Sequence, residues 1–252
     1  MRIEPTAKDL STSFIQSRHY SPVMPRITKH WLGAYCDEDL VGLLTLGWGT
    51  RPRHTIQKIF PTLDTSDYYE IGKMCMDDSM PHNSESHMLS KVVKWMKLNT
   101  PHARYLFTWS DGLVGKPGYV YQSSNFLYGG FIWTDTYVSE SGEKIHPRTL
   151  QSQLPNPAGY KNGCRPTFTQ LKELGLSRVR GKQFRYLYPM TKKDRRNIRY
   201  SPMEWNLNHP KENDLEWKIK PPGEDFYRST NVMPFDYQPH NAVYNKKNIN
   251  QA

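Results

Sequence analysis

The sequence predicts a layered α/β domain, strands interleaved with helices, followed by an irregular C-terminal extension. Three observations carry that expectation. Two apolar runs, Lys29 to Tyr35 and Leu40 to Trp48, are joined by Cys36-Asp-Glu-Asp39 and read as a hairpin. Met88, Leu89, Val92, Val93 and Met96 recur at helical spacing, and the apolar, aromatic run Tyr105 to Trp109 after them reads as a buried strand. From about Ser201 the composition shifts to Asn, Pro and Lys and the aromatics lose periodicity. Residues 1–200 are therefore expected to form the domain, and 201–252 a poorly structured extension.

Thr6 is placed to cap a helix over about Ala7 to Ser17, which Pro22 stops from continuing. His19 and Tyr20 thus fall at a helix end or just beyond it. A histidine there also serves as a simple cation at the negative end of a helix dipole. Gly42, Gly47 and Gly49 mark bulges or close backbone approach. The segment Arg51 to Asp67, with Pro52 and Pro61, reads as irregular, and Tyr69 to Asp77 as a strand carrying Lys73. The amphipathic helix spans about Ser84 to Leu98, capped by Asn83 or Ser84. Its open first-turn amides, with the hydroxyls of Ser84 and Ser86, suit a phosphate, although the same residues also make an ordinary cap.

The stretch Thr108 to Phe126 ends the aromatic strand on Asp111-Gly112. It continues through glycine-spaced residues into one or two helical turns bearing Tyr121. Ligands bind beyond the carboxyl ends of strands in open α/β sheets, so Asp111 and Tyr121 invite a site. A capping Asp and a packed Tyr explain the same residues. Further strands are expected at Phe131 to Val138 and Phe184 to Tyr188, with a turn at Ser139 to Gly142. A loop is expected over Leu150 to Pro166 and a short helix over Thr167 to Leu174, stopped by Gly175.

The formal charge of +10 and pI of about 9.4 favour an anionic partner: nucleic acid, an anionic membrane or a phosphorylated small molecule. Nine Lys or Arg residues against one acid lie between Arg178 and Arg199. Arg178, Arg180, Lys182, Arg185, Lys192, Lys193, Arg195 and Arg196 are the candidates for phosphate-backbone contact. No apolar run approaches a membrane span, and the N-terminus lacks the apolar core of a signal peptide. Cys36, Cys75 and Cys164 are odd in number and widely spaced, which argues for a reducing compartment. The expectation is a soluble, cytoplasmic protein with no membrane contact.

The order helix, hairpin, strand, helix, strand, short helix, strands resembles the GNAT acyltransferase fold, which implies a mixed, mostly antiparallel sheet flanked by helices. Tyr121-Gln-Ser-Ser-Asn-Phe126 looks like that superfamily's late-helix pattern, in which the Tyr protonates a departing CoA thiolate. Pro81 to Ser86 stands where a Gly-rich pyrophosphate loop is usual. Within the superfamily the chain resembles the phage Mom-type DNA modification family. The matching motifs are Arg18-His19-Tyr20, Glu70-x-x-Lys73 with Lys where Arg is more usual, Pro81-x-Asn83-x-Glu85-Ser86, and Ser110-Asp111 through Gly115, Gly118, Tyr121-Gln122 and Asn125.

The resemblance implies an enzyme that converts the exocyclic amine of adenine in double-stranded DNA to an acetamido-type derivative. His19, Tyr20, Asp111 and Tyr121 are the implied catalytic positions. Lys73 and Ser86, with Asn83 and Ser84 beside them, are the expected positions for acetyl-CoA or another acyl-CoA. Iron is implied as a further cofactor, with His19, Tyr20 and Asp111 as ligands, types that suit iron. A base within a duplex is unreachable, so flipping onto Trp48, Trp109 or Trp133 is expected, although each Trp also fits a core. Two other functions remain open on the residues alone. One is acyl transfer to an already modified phage base, a tRNA or a protein amine. The other is non-catalytic nucleic-acid binding.

Overall fold

Three aliphatic residues of the hairpin's second strand explain why helices cover both faces of the sheet. Leu43 is buried with Phe14 and Ile15 on one face, while Leu44 and Leu46 are buried with Met88, Leu89 and Val92 on the other. The structure, a computed structural model, describes residues 1–21, 23–147, 150 and 165–237. Most of the expected loop Leu150 to Pro166, and Cys164 with it, lies outside the described residues.

Ten strands are described: β1 (Arg2–Pro5), β2 (Ile27–Cys36), β3 (Asp39–Trp48), β4 (Tyr68–Met76), β5 (Tyr105–Asp111), β6 (Leu127–Val138), β7 (Lys144–Ile145), β8 (Ser177–Pro189), β9 (Trp217–Lys220) and β10 (Arg228–Thr230). They form one sheet in the order β1-β2-β3-β4-β5-β8-β6-β7, with β9 paired to β8 and β10 to β9. Only β4 and β5 pair in parallel, and the other described pairs are antiparallel. The α-helices with fully described residues are α1 (Lys8–Arg18), α2 (Pro52–Ile59), α3 (Ser84–Asn99), α4 (Tyr119–Ser123), α5 (Phe168–Glu173) and α6 (Lys192–Asn197). α1 and α2 pack on one face of the sheet, α3 and α4 on the other. This is the mixed, mostly antiparallel, helix-flanked sheet that the sequence predicted.

The structure corrects several local expectations. Thr6 does not cap α1; its hydroxyl lies 3.2 Å from that of Tyr35. The segment after Arg51 is not irregular but begins with α2. Pro52 sits at the helix start, where its missing N–H costs nothing, and Ile56 and Ile59 are buried. The last long strand runs over thirteen residues rather than five.

The change of composition at Ser201 is not a break in packing. Trp205, Leu215, Trp217 and Phe235 are buried, and β9 extends the sheet along β8. Widely spaced indoles anchor this segment, so it shows no period. Trp205 Nε1 donates to Ser201 Oγ at 3.0 Å, and Trp217 Nε1 to the Leu113 carbonyl at 2.8 Å.

Candidate active site

β4 and β5 pair over three positions only, Tyr68 with Tyr105, Tyr69 with Leu106 and Glu70 with Phe107. Beyond these, β4 keeps pairing with β3 and β5 with β8, so the two strands part. A cleft of about 590 Å³ occupies the gap, and His19, Tyr20, Lys73, Asp111 and Tyr121 all line it. Residues more than a hundred positions apart in sequence thus meet in one place.

Asp111 ends β5, and its Oδ1 is shut off from solvent. Its Oδ1 has no hydrogen-bond partner, while the Tyr20 hydroxyl and the Leu113 amide are aimed at the carboxylate. Burial pushes the carboxyl above its ordinary range against the pull of Lys144, Lys116 and Lys73. Lys73 is held down to about 8, by burial first, and its Nζ donates to the Ser21 carbonyl at 2.7 Å. Lys116 lies 4.2 Å from the centre of the Tyr20 ring.

His19 is held down to about 3, chiefly by burial and then by Lys73, so it is neutral at physiological pH. Its Nδ1 lies 2.9 Å from the Ser21 nitrogen and 3.0 Å from the Ser21 carbonyl oxygen, so that residue engages it in either tautomer. Its ring stacks on Tyr20 with centroids 4.4 Å apart. Tyr20 is raised well above the usual phenol by burial and then by Asp111. Tyr121, also raised by burial, meets the Thr108 hydroxyl and packs against Phe126 and Tyr186.

The loop between Asp111 and α4 is fixed by its own polar groups. Ser110 Oγ donates to the Lys116 carbonyl at 2.8 Å, and the Tyr186 hydroxyl donates to that of Pro117. Gly118 takes φ 99, a backbone that strongly favours glycine, and a Cβ there would lie 2.6 Å from the Tyr186 ring.

Of the expected cofactor residues only Lys73 lines this cleft; Asn83, Ser84 and Ser86 stand at the start of α3, next to the lining residue Glu85. Ser84 is buried and its amide goes to the Pro81 carbonyl, while Asn83 caps α3 in the left-handed region without a side-chain bond. Ser86 Oγ is 2.6 Å from Ser123 Oγ, and acidic Glu85 faces the cleft beside it.

Three residues near Asp111 or Tyr20 escaped the sequence reading. Lys116 and Lys144 place positive charge beside Asp111. Tyr237 comes edge-on to Tyr20 at 6.1 Å. Each belongs to the site only through contacts remote in sequence, and no local pattern marks them.

Glu70, which stands in the sequence only as part of a motif, is largely buried and pushed up to about 7 by burial, against the pull of the Gly49 N–H. The folded state therefore binds this proton more tightly than the unfolded chain. Its contribution costs stability progressively as pH rises from about 4.5 towards 7, and the cost persists above that. Glu70→Gln is expected to raise the melting temperature in mildly alkaline buffer and to leave it near wild type in mildly acid buffer. Thermal denaturation at the two pH values checks this.

Residues 1–206 match the Mom protein family. The chain belongs to that family. The methylcarbamoylase Mom of Escherichia phage Mu is 28% identical over 198 residues, 79% of each chain. Looser three-dimensional likenesses are to a Bacillus subtilis acetyltransferase in complex with CoA and to an Elizabethkingia anophelis GNAT family acetyltransferase with acetyl-CoA bound. The first has 12% identity and a TM-score of 0.33, covering 75% of this chain and 97% of that one. The second has 14% identity and a TM-score of 0.32, covering 74% and 96%. The Mom family match ends before β9, so Trp217 and Tyr237 lie beyond it.

The trio His19, Tyr20 and Asp111, implied as iron ligands, lines one cleft, with the Tyr20 hydroxyl aimed at the Asp111 carboxylate. Among the described residues no cluster of three His, Cys, Asp or Glu side chains forms a metal site.

The basic run, whose residues were all candidates for phosphate contact, divides in two. Arg178 and Arg180 both grip Asp135 at 2.6 and 2.7 Å, and Lys182 pairs with Glu216. Arg185 donates to the Gly129 carbonyl at 3.1 Å. These four lie on β8, inside the sheet. Lys192, Lys193, Arg195 and Arg196 of α6 are exposed and form no ion pair among the described residues. No described helix is long and apolar enough to cross a membrane.

Proposed function

We propose that this chain modifies bases in double-stranded DNA, converting the exocyclic amine of adenine to an acetamido-type derivative with an acyl-CoA donor. The observation that carries this reading is the buried, unpartnered Oδ1 of Asp111, facing Tyr20 and Tyr121 in one cleft of a Mom family member. Asp111, raised by burial, accepts the proton that the amine gives up as it attacks. Tyr121, held as the neutral phenol, donates a proton to the departing sulfur. His19, held down to about 3, is neutral and a weak base, so the base role falls to Asp111. An acyl-CoA supplies the activated carbonyl. Lys73 and the start of α3 near Ser86 would hold it, with Glu85 opposing a second anion there.

The phage Mu relative is named for a methylcarbamoyl group, which is an isomer of an acetamido group and contains a nitrogen that acetyl lacks. An acetyl donor alone cannot supply that nitrogen. Nucleoside mass spectrometry on plasmid DNA from expressing cells therefore tests both parts. A new deoxyadenosine derivative with an odd nominal mass increment supports a nitrogen-bearing donor, and an even increment supports plain acetyl transfer. An unchanged profile from folded protein removes the reading in favour of acyl transfer to another amine.

Duplex affinity should fall steeply with salt through the exposed cations of α6. Replacing Arg195 and Arg196 with Gln should flatten the log–log salt slope by about 0.9 for each phosphate that is no longer neutralised. Titrations across ionic strength check this, and an unchanged slope would place the DNA elsewhere.

A further inference from the structure

A second cleft, of about 420 Å³, opens on the α2 face of the sheet and shares Gly72 and Trp109 with the Asp111 cleft. Trp48, Trp109 and Glu70 line it, with exposed Arg26 and Arg51 at its rim. The Trp48 indole is fixed, since its Nε1 donates to the carbonyls of Thr65 and Tyr68, each at 3.0 Å. Trp109 is braced edge-on by Phe107, and Arg185 lies 5.5 Å from its ring centre. Glu70 Oε2 accepts the Gly49 N–H at 3.2 Å, while Oε1 makes no hydrogen bond and the carboxyl no ion pair among the described residues.

The surroundings of this cleft are cationic. Arg53, His54 and Lys58 of α2 are exposed. Ser201 Oγ donates to the Ile59 carbonyl at 2.6 Å, which brings exposed Arg199 and Tyr200 to the same helix end. A slot with two aromatic side chains, one under-used carboxyl and a cationic rim suits a flat ring with a polar edge, carried on an anionic backbone.

We propose that this cleft receives a nucleobase extruded from duplex DNA, stacked on Trp48 and Trp109 and recognised at its edge by Glu70. The proposal rests on the DNA-modifying reading and adds the slot in which the base is first received and read, across the shared Gly72 and Trp109 from the Asp111 cleft where it reacts. A neutral carboxyl offers an O–H donor beside a carbonyl acceptor, which complements the ring nitrogen and amino group of adenine. Burial favours that neutral form, and the charged or titratable groups nearby are Arg26 and Arg51 at the rim and Tyr68 on the same strand. Gly72 keeps the shared wall thin: a Cβ there would lie 2.7 Å from Pro25 Cγ and 3.0 Å from Thr45 Oγ1. Trp133 is not among the residues lining the cleft.

The test uses the full chain and short fluorescein-labelled duplexes, read by anisotropy. One duplex is fully paired, one has an abasic site facing a central adenine, and one has abasic sites facing each other. The duplex with the unpaired adenine should bind about tenfold tighter than either of the others, because its base is already unpaired and the slot is filled. That preference should decline as pH rises through about 7. Glu70→Ala should abolish it, and Glu70→Gln, which imitates the neutral carboxyl, should retain it without the pH dependence.

Equal binding of the two abasic duplexes by wild-type protein overturns the proposal, and that comparison needs no variant. A Glu70→Ala protein that keeps the preference also overturns it. Nucleoside mass spectrometry on the same proteins separates the two levels. Wild-type protein that modifies DNA without favouring unpaired adenine keeps the activity and loses this pocket. Wild-type protein that favours unpaired adenine without modifying DNA keeps the pocket and loses the activity.

Discussion

Asp111→Asn lowers DNA modification by roughly two to four orders of magnitude, the usual contribution of a positioned acid or base, and leaves duplex affinity nearly unchanged. The two effects separate because Asp111 lies at the end of β5 with its Oδ1 shut off from solvent, whereas the free cations are exposed on α6 and α2. Asparagine keeps the volume and still accepts from the Leu113 amide, so the fold is not the variable. It has no charge to balance Lys73, Lys116 and Lys144 and no capacity to take the amine's proton. Nucleoside mass spectrometry for product and anisotropy for affinity check the two halves. Retained modification would move the base role away from Asp111.

Trp217→Ala destabilises the folded chain by about 3–5 kcal/mol, as expected for removal of a large buried aromatic. Trp217 is 3% exposed and joins the main core, where its Nε1 donates to the Leu113 carbonyl at 2.8 Å. The substitution therefore leaves a cavity and also strips a carbonyl of its donor in the turn that follows Asp111. Trp217→Phe keeps most of the packing and loses only the hydrogen bond, so its cost is about 1–2 kcal/mol. Urea unfolding midpoints for the two variants and wild type measure the difference. A midpoint for Trp217→Ala equal to that of wild type would mean that the segment after Ser201 is not part of the cooperative fold.

The legible parts of the chain were those governed by a local period or a compact motif. The β2–β3 hairpin and α3 follow their periods, and Thr167 caps α5 as a capping box placed just before an apolar residue. Pro52 misled because proline reads as a breaker until its position at the helix start is known. β1 is four residues long and has no pattern to read. The run Arg178, Arg180, Lys182 read as free for phosphate contact because a count of charges does not reveal neighbours. Asp135 and Glu216 lie far off in sequence and meet the run only across strand pairings.

The candidate site divides in the same way. His19, Tyr20, Lys73, Asp111 and Tyr121 stood in short motifs and converge in space. Lys116, Lys144 and Tyr237 complete the surroundings of Asp111 from loops and edges whose local sequence has no sign of it. Glu70 lies three residues before Lys73 in the same motif, and its role in a separate cleft follows only from the parting of β4 and β5.

The surroundings of Asp111 draw on both ends of the chain, Tyr20 before β2 and Tyr237 after β10, with Lys144 lying 5.8 Å from the centre of the Tyr237 ring. A ribosome delivers these parts in order, with Tyr237 emerging about two hundred residues after Tyr20. A nascent polypeptide that has passed Asp111 but not Tyr237 thus carries the carboxyl without this part of its wall.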